Sequence, residues 1–266
     1  MSSQNSIATE LQRLQDIILD EEASFSGTEM VSNLEALLGQ VDQPQGPIAG
    51  QILNLLSLVQ NKRGDTDEVL KHGEACVTID QRTPFLNDES RFYLHYRLSC
   101  ALEEDDQPER AMMYLNLVLQ NPVAVTLDDD QHRTLVESLA RLLHEAAHFE
   151  EALALNTNLL DQAETAGETN LRVLNNLAQN CYELGRLEDA ESYLRQRLAA
   201  AQAADEEGFE DAFDSLFQLG VLSFESGNPE QARQLFEQRL ALARNHGDEF
   251  DVSEAEETLA ELAERS

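Results

Sequence analysis

Gly185-Arg-Leu-Glu-Asp-Ala190 and Gly227-Asn-Pro-Glu-Gln-Ala232 are one hexapeptide written twice, 42 residues apart. Each opens on glycine, which enters the left-handed region at little cost and so ends a helix. An acid stands at the fourth position, where the positive end of a following helix favours it. Alanine closes the frame and is small enough for two helices to cross closely. Pro229 suits the first turn of that following helix. The same frame recurs at Asp106-Gln-Pro-Glu-Arg-Ala111, at Ala147-His-Phe-Glu-Glu-Ala152 and, more weakly, at Gly64-Asp-Thr-Asp-Glu-Val69. The closing residues fall at 69, 111, 152, 190 and 232, in steps of 42, 41, 38 and 42. A helix–turn–helix unit used five times is the expectation.

The flanks agree with it. Before each turn stands an apolar residue followed by a small one: Leu56-Ser57, Leu98-Ser99, Leu139-Ala140, Leu177-Ala178 and Leu219-Gly220. Four residues beyond the closing residue, Leu115, Leu194 and Phe236 are placed to fill a core, whereas Gly73 and Asn156 make two units degenerate there. Apolar residues elsewhere mostly follow i, i+3, i+4, i+7 spacing, no segment alternates as a strand would, and Gly and Pro are few (12 and 6). The fold class expected is all-α. Residues 5 to 22 and 28 to 40 read as two further helices, and Gln40 to Pro47 as a loop. Residues 251 to 264 read as a final amphipathic helix with a polar outer face. The expected organisation is therefore an N-terminal helical pair or worn repeat over 1–46, a five-unit array over 47–249 and a capping helix over 250–266.

The units resemble the tetratricopeptide repeat, most closely at Leu216 to Phe224 with Gly227 and Ala232 to Phe236. The unit from Leu174-Asn-Asn-Leu-Ala178 through Gly185 to Leu194 is similar to the longer repeats of kinesin light chains. The resemblance covers about residues 47 to 249. It implies a right-handed superhelical solenoid of antiparallel helix pairs, whose first helices line a groove that takes a peptide or helix of another protein. On that frame the groove residues are Asn54, Tyr93, Tyr96, Arg97, Arg141, His144, Asn175, Asn176, Gln179 and Phe217. Asn176 matches an asparagine that contacts ligand backbone in kinesin light chain-like repeats, a task suited to an amide that donates and accepts at once. Tyr93 and Tyr96 offer rigid amphipathic area, and Arg97 and Arg141 suit a carboxylate. A chaperone-type carboxylate clamp, with two lysines and an asparagine, is not expected: Lys62 lies near one groove position and no second lysine does.

Charge narrows the partner. Acids number 51 against 18 bases, for a net −33. Phosphate contacts need clustered Lys and Arg, so nucleic acid is not an expected partner, and anionic membranes would be repelled. The acidity has two readings. It steers a basic partner, as in an inhibitor, immunity protein or chaperone whose acidic surface is itself the binding site, or it is a solvated coat. Scarce lysine (only Lys62 and Lys71) resembles the composition of proteins from salt-loving organisms. No apolar run reaches the ~20 residues of a membrane span, and no secretory signal is evident, so a cytoplasmic protein is expected. Cys76, Cys100 and Cys181 form no CxxC pair and read as buried free thiols. Oligomeric state stays open.

One motif points elsewhere. His144-Glu145-Ala146-Ala147-His148 matches H-E-x-x-H, which on a continuous helix binds zinc and supplies a general base. In the repeat frame, however, Ala147 is the turn residue and His148 lies in the turn. The third ligands within reach, Glu164 and Glu168, fall in a stretch (161–170) that reads as loop. A zinc-dependent hydrolase is therefore the distant alternative to a non-enzymatic adaptor with no cofactor. The runs Glu103 to Asp106 and Asp128 to Asp130 read as solvated helix ends, lacking the spacing of a calcium loop.

Overall fold

The computed structural model describes residues 2–20, 24–166 and 169–265. Among these residues there are thirteen α-helices, two short 3₁₀ turns and no strand. The helices are α1 (Ser2–Leu19), α2 (Gly27–Leu38), α3 (Pro47–Arg63), α4 (Thr66–Arg82), α5 (Asp88–Glu104), α6 (Pro108–Leu119) and α7 (Asp129–Glu145). They continue as α8 (Phe149–Ala166), α9 (Leu171–Glu183), α10 (Leu187–Ala203), α11 (Phe209–Glu225), α12 (Pro229–His246) and α13 (Glu249–Arg265). None is long and apolar enough to cross a membrane. The chain forms two compact units, Met1–Leu142 and Leu143–Ser266.

Every hexapeptide is a helix-ending turn of one kind. Among the described residues φ is positive at five positions, Gly64, Asp106, Ala147, Gly185 and Gly227, the first residue of each frame. Behind each, the same two bonds close the helix. The turn residue donates to the carbonyl three back, and its successor donates to the carbonyl five back, as in Gly185 N to Tyr182 O (2.9 Å) and Arg186 N to Cys181 O (2.8 Å). This pairing satisfies carbonyls that a helix end leaves open. Asp106 and Ala147 adopt the conformation without glycine's freedom, at roughly 1–2 kcal/mol each.

The turns fold the chain into antiparallel hairpins, α3 on α4, α5 on α6, α9 on α10 and α11 on α12. The small residues sit at their crossings. A Cβ at Gly220 would stand 2.2 Å from Phe236, so that ring requires glycine there. In the first two hairpins the small residue is serine, and it adds a bond: Ser57 Oγ donates to Val69 O (3.2 Å) and Ser99 Oγ to Ala111 O (2.9 Å). Leu115, Leu194 and Phe236 are buried as expected.

The two degenerate positions have different outcomes. A Cβ at Gly73 would meet Leu98 at 2.7 Å, so a leucine from α5 occupies the room that a larger residue would have filled. Asn156 is fully buried; its Nδ2 donates to Ala152 O (2.9 Å), while its Oδ1 has no partner among the described residues.

In the first unit α1 and α2 pack on α3. In the second, Ala178, Cys181, Ala190, Leu194, Leu216, Leu219, Leu222 and Leu235 share one core drawn from α9, α10, α11 and α12. Two expectations are corrected. The stretch from Asp161 to Ala166 is not loop but the end of α8, since its spacing continues the helical face through Ala163. Of the two acids proposed there as zinc ligands, Glu168 and the Glu164 side chain lie outside the described residues. Cys76 and Cys181 are buried, but Cys100 is only half-buried.

Candidate functional site

Each unit carries a cleft on the face of its first helices, and the two differ in chemistry. In the first unit a cleft of about 580 Å³ lies between α1, α3 and α5, lined by Leu19, Asn54, Leu58, Tyr93, Tyr96 and Arg97 among others. Tyr93 and Tyr96 are 56% and 42% exposed, unusual for aromatic rings in water. Both are held on α5, which starts at an asparagine cap: Asn87 Oδ1 accepts from Ser90 N (2.7 Å). The loop before α5 is fixed by Asp80, whose carboxylate accepts from Phe85 N, Leu86 N and Arg91 Nε at 2.8–2.9 Å. Those bonds hold the Asp80 carboxyl below its ordinary range despite burial.

Arg97 occupies the floor of this cleft. It is 7% exposed, donates from Nε to Ser57 Oγ (3.0 Å) and from Nη2 to Asn54 Oδ1 (2.7 Å). Sequence spacing placed Arg97 on the groove face as an open side chain. It is instead a buried one, because the small Ser57 on α3 leaves room for the guanidinium to fold against that helix.

In the second unit a cleft of about 350 Å³ is formed by α9, α10, α11 and the last turn of α7, with His144, Gln179, Tyr182, Phe217 and Val221 in its lining. His144 is fixed at both faces. Its Nδ1 lies 3.0 Å from Asn180 Oδ1, and its ring meets Phe149 edge-on at 5.3 Å. The buried Asn180 in turn donates to Asn176 O (2.7 Å). Tyr182 donates its hydroxyl to Glu225 (2.8 Å), and Phe217 leans on Phe236 at 6.1 Å.

The ten sequence-derived residues thus separate. Asn54, Tyr93, Tyr96 and Arg97 meet in the first cleft; His144, Gln179 and Phe217 meet in the second. Asn175, Asn176 and Arg141 line neither. Asn175 is held internally, its Oδ1 accepting from Arg197 (3.0 Å) and Gln218 (3.1 Å). Arg141 pairs with Glu103 at 2.7 Å. Asn176 lies half-buried on α9, and its side-chain amide makes no hydrogen bond among the described residues. Lys62 is drawn from the groove altogether. It donates to Ile18 O (3.1 Å) at the end of α1, beneath the Phe25 ring.

Sequence reasoning missed two groups. Tyr182 and Glu183 continue the stripe begun by Gln179 one turn on, a signal present in the helical spacing. The other is a pair of buried arginines at equivalent places, Gln196-Arg197-Leu198 and Gln238-Arg239-Leu240, seven residues beyond the closing alanines. Arg197 reaches from α10 to Asp211 (2.7 Å) and Asp214 of α11. Arg239 reaches from α12 to Glu254 (2.7 Å) and Thr258 (3.1 Å) of α13, with its guanidinium 3.8 Å from the Phe213 ring centre. The recurring tripeptide was the signal.

The two histidines of the H-E-x-x-H segment fall on different elements. α7 ends at Glu145, Ala147 takes φ 58°, and His148 precedes α8 with its Nδ1 3.2 Å from Glu151. The two imidazoles therefore do not share one helical face, and no group of three metal-ligating side chains occurs among the described residues. The acid runs serve as helix ends: Glu103 pairs with Arg141, Glu104 accepts from Thr66 (2.8 Å), and Asp128 caps Gln131 N (2.8 Å).

Hairpins joined by one recurring turn define a helical-repeat protein. Comparison with known proteins specifies the kind. Residues 171–203 and 214–238 each match a tetratricopeptide repeat model. No curated protein matches. Among solved structures, a putative kinesin light chain with nearly identical TPR-like repeats from Podosopora anserina is similar at TM-score 0.56 and 20% identity. That likeness covers 78% of this chain and all of the other. BtubC (BKLC) from P. vanneervenii is similar at 0.56 and 18%, covering 87% of this chain and 91% of the other. The apo form of RapI is similar at 0.60 and 12%, covering 96% and 79%. Two stretches of the chain thus match the tetratricopeptide repeat, and the fold is similar to that of solved kinesin light chain-like repeats.

Proposed function

We propose that the chain is a non-enzymatic adaptor that binds a segment of another protein along the faces of its first helices. The observation that carries this reading is the exposure of Tyr93, Tyr96, Tyr182 and Phe217, each within a cleft and beside amide side chains. Aromatic rings flanked by groups that donate and accept suit a peptide backbone with an apolar anchor. The rims need no cofactor for this role. Proteins built on this repeat are generally interaction scaffolds, and one solved relative in fold is a Rap protein complexed with Competence and Sporulation Factor.

Affinity capture from host lysate tests the reading. Wild type is compared with Tyr93→Ala/Tyr96→Ala and with Gln179→Ala/Phe217→Ala, each checked for folding by circular dichroism. A protein retained by wild type and lost by either variant supports binding in that cleft. Equal capture by all three moves the binding site to the acidic outer surface, where the partner would be basic and retention would fall steeply with salt.

A further inference from the structure

The second cleft gathers hydrogen-bond acceptors that the chain leaves open. Its histidine is held in one tautomer. Asn180 Nδ2 donates to Asn176 O (2.7 Å), so Asn180 turns its Oδ1 toward His144, 3.0 Å from the ring. A carbonyl oxygen only accepts. His144 Nδ1 therefore carries the proton, and the neutral ring keeps its lone pair on Nε2. That atom has no hydrogen-bond partner among the described residues. Three residues beyond Asn180 on α9, the exposed Glu183 carboxylate makes no ion pair or hydrogen bond among the described residues. Gln218 directs its amide N–H groups to Asn175 (3.1 Å) and Asp214 (2.8 Å), which leaves its Oε1 to accept. Tyr182 gives its hydroxyl proton to Glu225, and its phenolic oxygen still accepts. No lysine or arginine lines the cleft among the described residues. The arginines around it are engaged within the fold: Arg186 with Asp189 (2.7 Å), Arg197 with Asp211 (2.7 Å), and Arg239, 4.9 Å from the Phe217 ring centre, with Glu254 (2.7 Å). Beneath these groups lies an apolar floor of Ala178, Leu194 and Leu222, each buried.

We propose that the second-unit cleft receives an arginine side chain of the partner segment, its guanidinium donating to the Glu183 carboxylate and to His144 Nε2. This deepens the adaptor reading and rests on it. The occupant must bring donors without acceptors, carry positive charge and tolerate an apolar floor. Arginine does all of these: it has N–H donors fixed in one plane, no acceptor, a permanent charge and a methylene stem that lies along apolar surface. Its flat, weakly hydrated head also stacks on an aromatic face, and the Tyr182 ring is 41% exposed. Lysine brings a compact, strongly hydrated head that cannot lie flat on that ring or span acceptors on two helices. A cleft of about 350 Å³ is near the small end of ligand sites, with room for one long side chain rather than a length of peptide. The net −33 of the chain draws any cation in from a distance. The fixed acceptors are what select the guanidinium among cations.

The test reads His144 directly. Its side-chain nitrogen resonances, assigned through His144→Gln, are followed in ¹⁵N-histidine-labelled full-length protein at pH 8, where an ordinary imidazole is neutral. Three probes are titrated: N-acetyl-Gly-Arg-Gly-amide, the same peptide with citrulline, and the same peptide with lysine. Citrulline keeps the shape of arginine without its charge. The expected result is a saturable shift of the Nε2 signal with the arginine probe, at an affinity at least about tenfold above that of the citrulline probe and above that of lysine. Glu183→Gln, an exposed change checked for folding by circular dichroism, should weaken the arginine probe by about tenfold. Equal response to citrulline or to lysine, no response to arginine, shifts spread over all histidines, or unchanged affinity in Glu183→Gln overturns the proposal. If Gln179→Ala/Phe217→Ala abolishes partner capture while His144 ignores arginine, the arginine falls and the adaptor reading stands. If His144 responds to arginine but no cleft variant alters capture, the arginine site stands and the adaptor reading falls.

Discussion

The two units treat a buried arginine in opposite ways. In the second, Arg197 and Arg239 lie under 10% exposed, and carboxylates from the next hairpin or helix close over them. In the first, Arg97 is buried to the same degree among Ser57 and Asn54. The paired arginines bind helices to one another, and their charge is consumed within the fold. The unpaired one presents its charge to a cleft. Overall acidity therefore says little about what a local site will accept. The disposition of counter-charges around one buried group says more.

The comparison can be broken most forcefully from the second unit. Replacing Asp211 and Asp214 with Asn leaves Arg197 as Arg97 is now, buried among neutral groups. A loss of about 2–3 kcal/mol is expected, below the full value for a buried pair because both acids are partly exposed. Urea denaturation measures it, and a loss under about 0.5 kcal/mol would show that these pairs anchor nothing. The reverse change is Asn54→Asp, which gives Arg97 an internal carboxylate where an amide oxygen now stands at 2.7 Å. A charge-assisted bond in place of a neutral one should stabilise the first unit by about 1 kcal/mol. The same urea titration measures it, and no gain would count against a neutral setting at Arg97.

Acid should separate the units as well. His72 and His95 are the histidines buried among the described residues, and both belong to the first unit. Burial lowers both below the ordinary 6.5, against Glu68 beside His72 and with Arg91 acting alongside burial at His95. The unfolded chain then binds protons that the folded one refuses. Their contribution is complete above about pH 6.5 and is lost as pH falls through the lowered folded values. The first unit should lose stability in that window. Hydrogen exchange of α4 and α5 against α9 to α12, at pH 7 and pH 5.5, reads the difference, and parallel loss in both units would contradict it. The smallest effect expected is at Arg141→Gln. Its pair with Glu103 is about 40% exposed on both sides, so stability should move by no more than about 0.5 kcal/mol.

The hairpins were legible in the sequence because turn chemistry is local. The hexapeptide frame located even Asp106 and Ala147, where no glycine announced the positive φ, since position within the unit outweighed residue identity. It also separated His144 from His148. Interiors were less legible. At Gly73 the missing side chain is supplied by Leu98, 25 positions on, which no reading within one unit reveals. The clefts were half legible: helical spacing found Tyr93, Tyr96, Gln179 and Phe217, each facing outward from its own helix. It gave no account of Leu19, which comes from α1, nor of Asn175, which Arg197 draws inward. Whether a charged side chain is open or enclosed depends on partners tens of residues away, and spacing within one helix does not encode that.

The Gln-Arg-Leu contacts give the second unit a direction. The hairpin of α11 and α12 receives a cation on Asp211 and Asp214 and extends one, Arg239, toward the helix that follows. It is a plug at one end and a socket at the other. A tandem copy of that hairpin would mate with its parent without any new residue, so such a gene segment can lengthen by duplication. Trimming is a different matter, because removing α13 would leave the last plug bare.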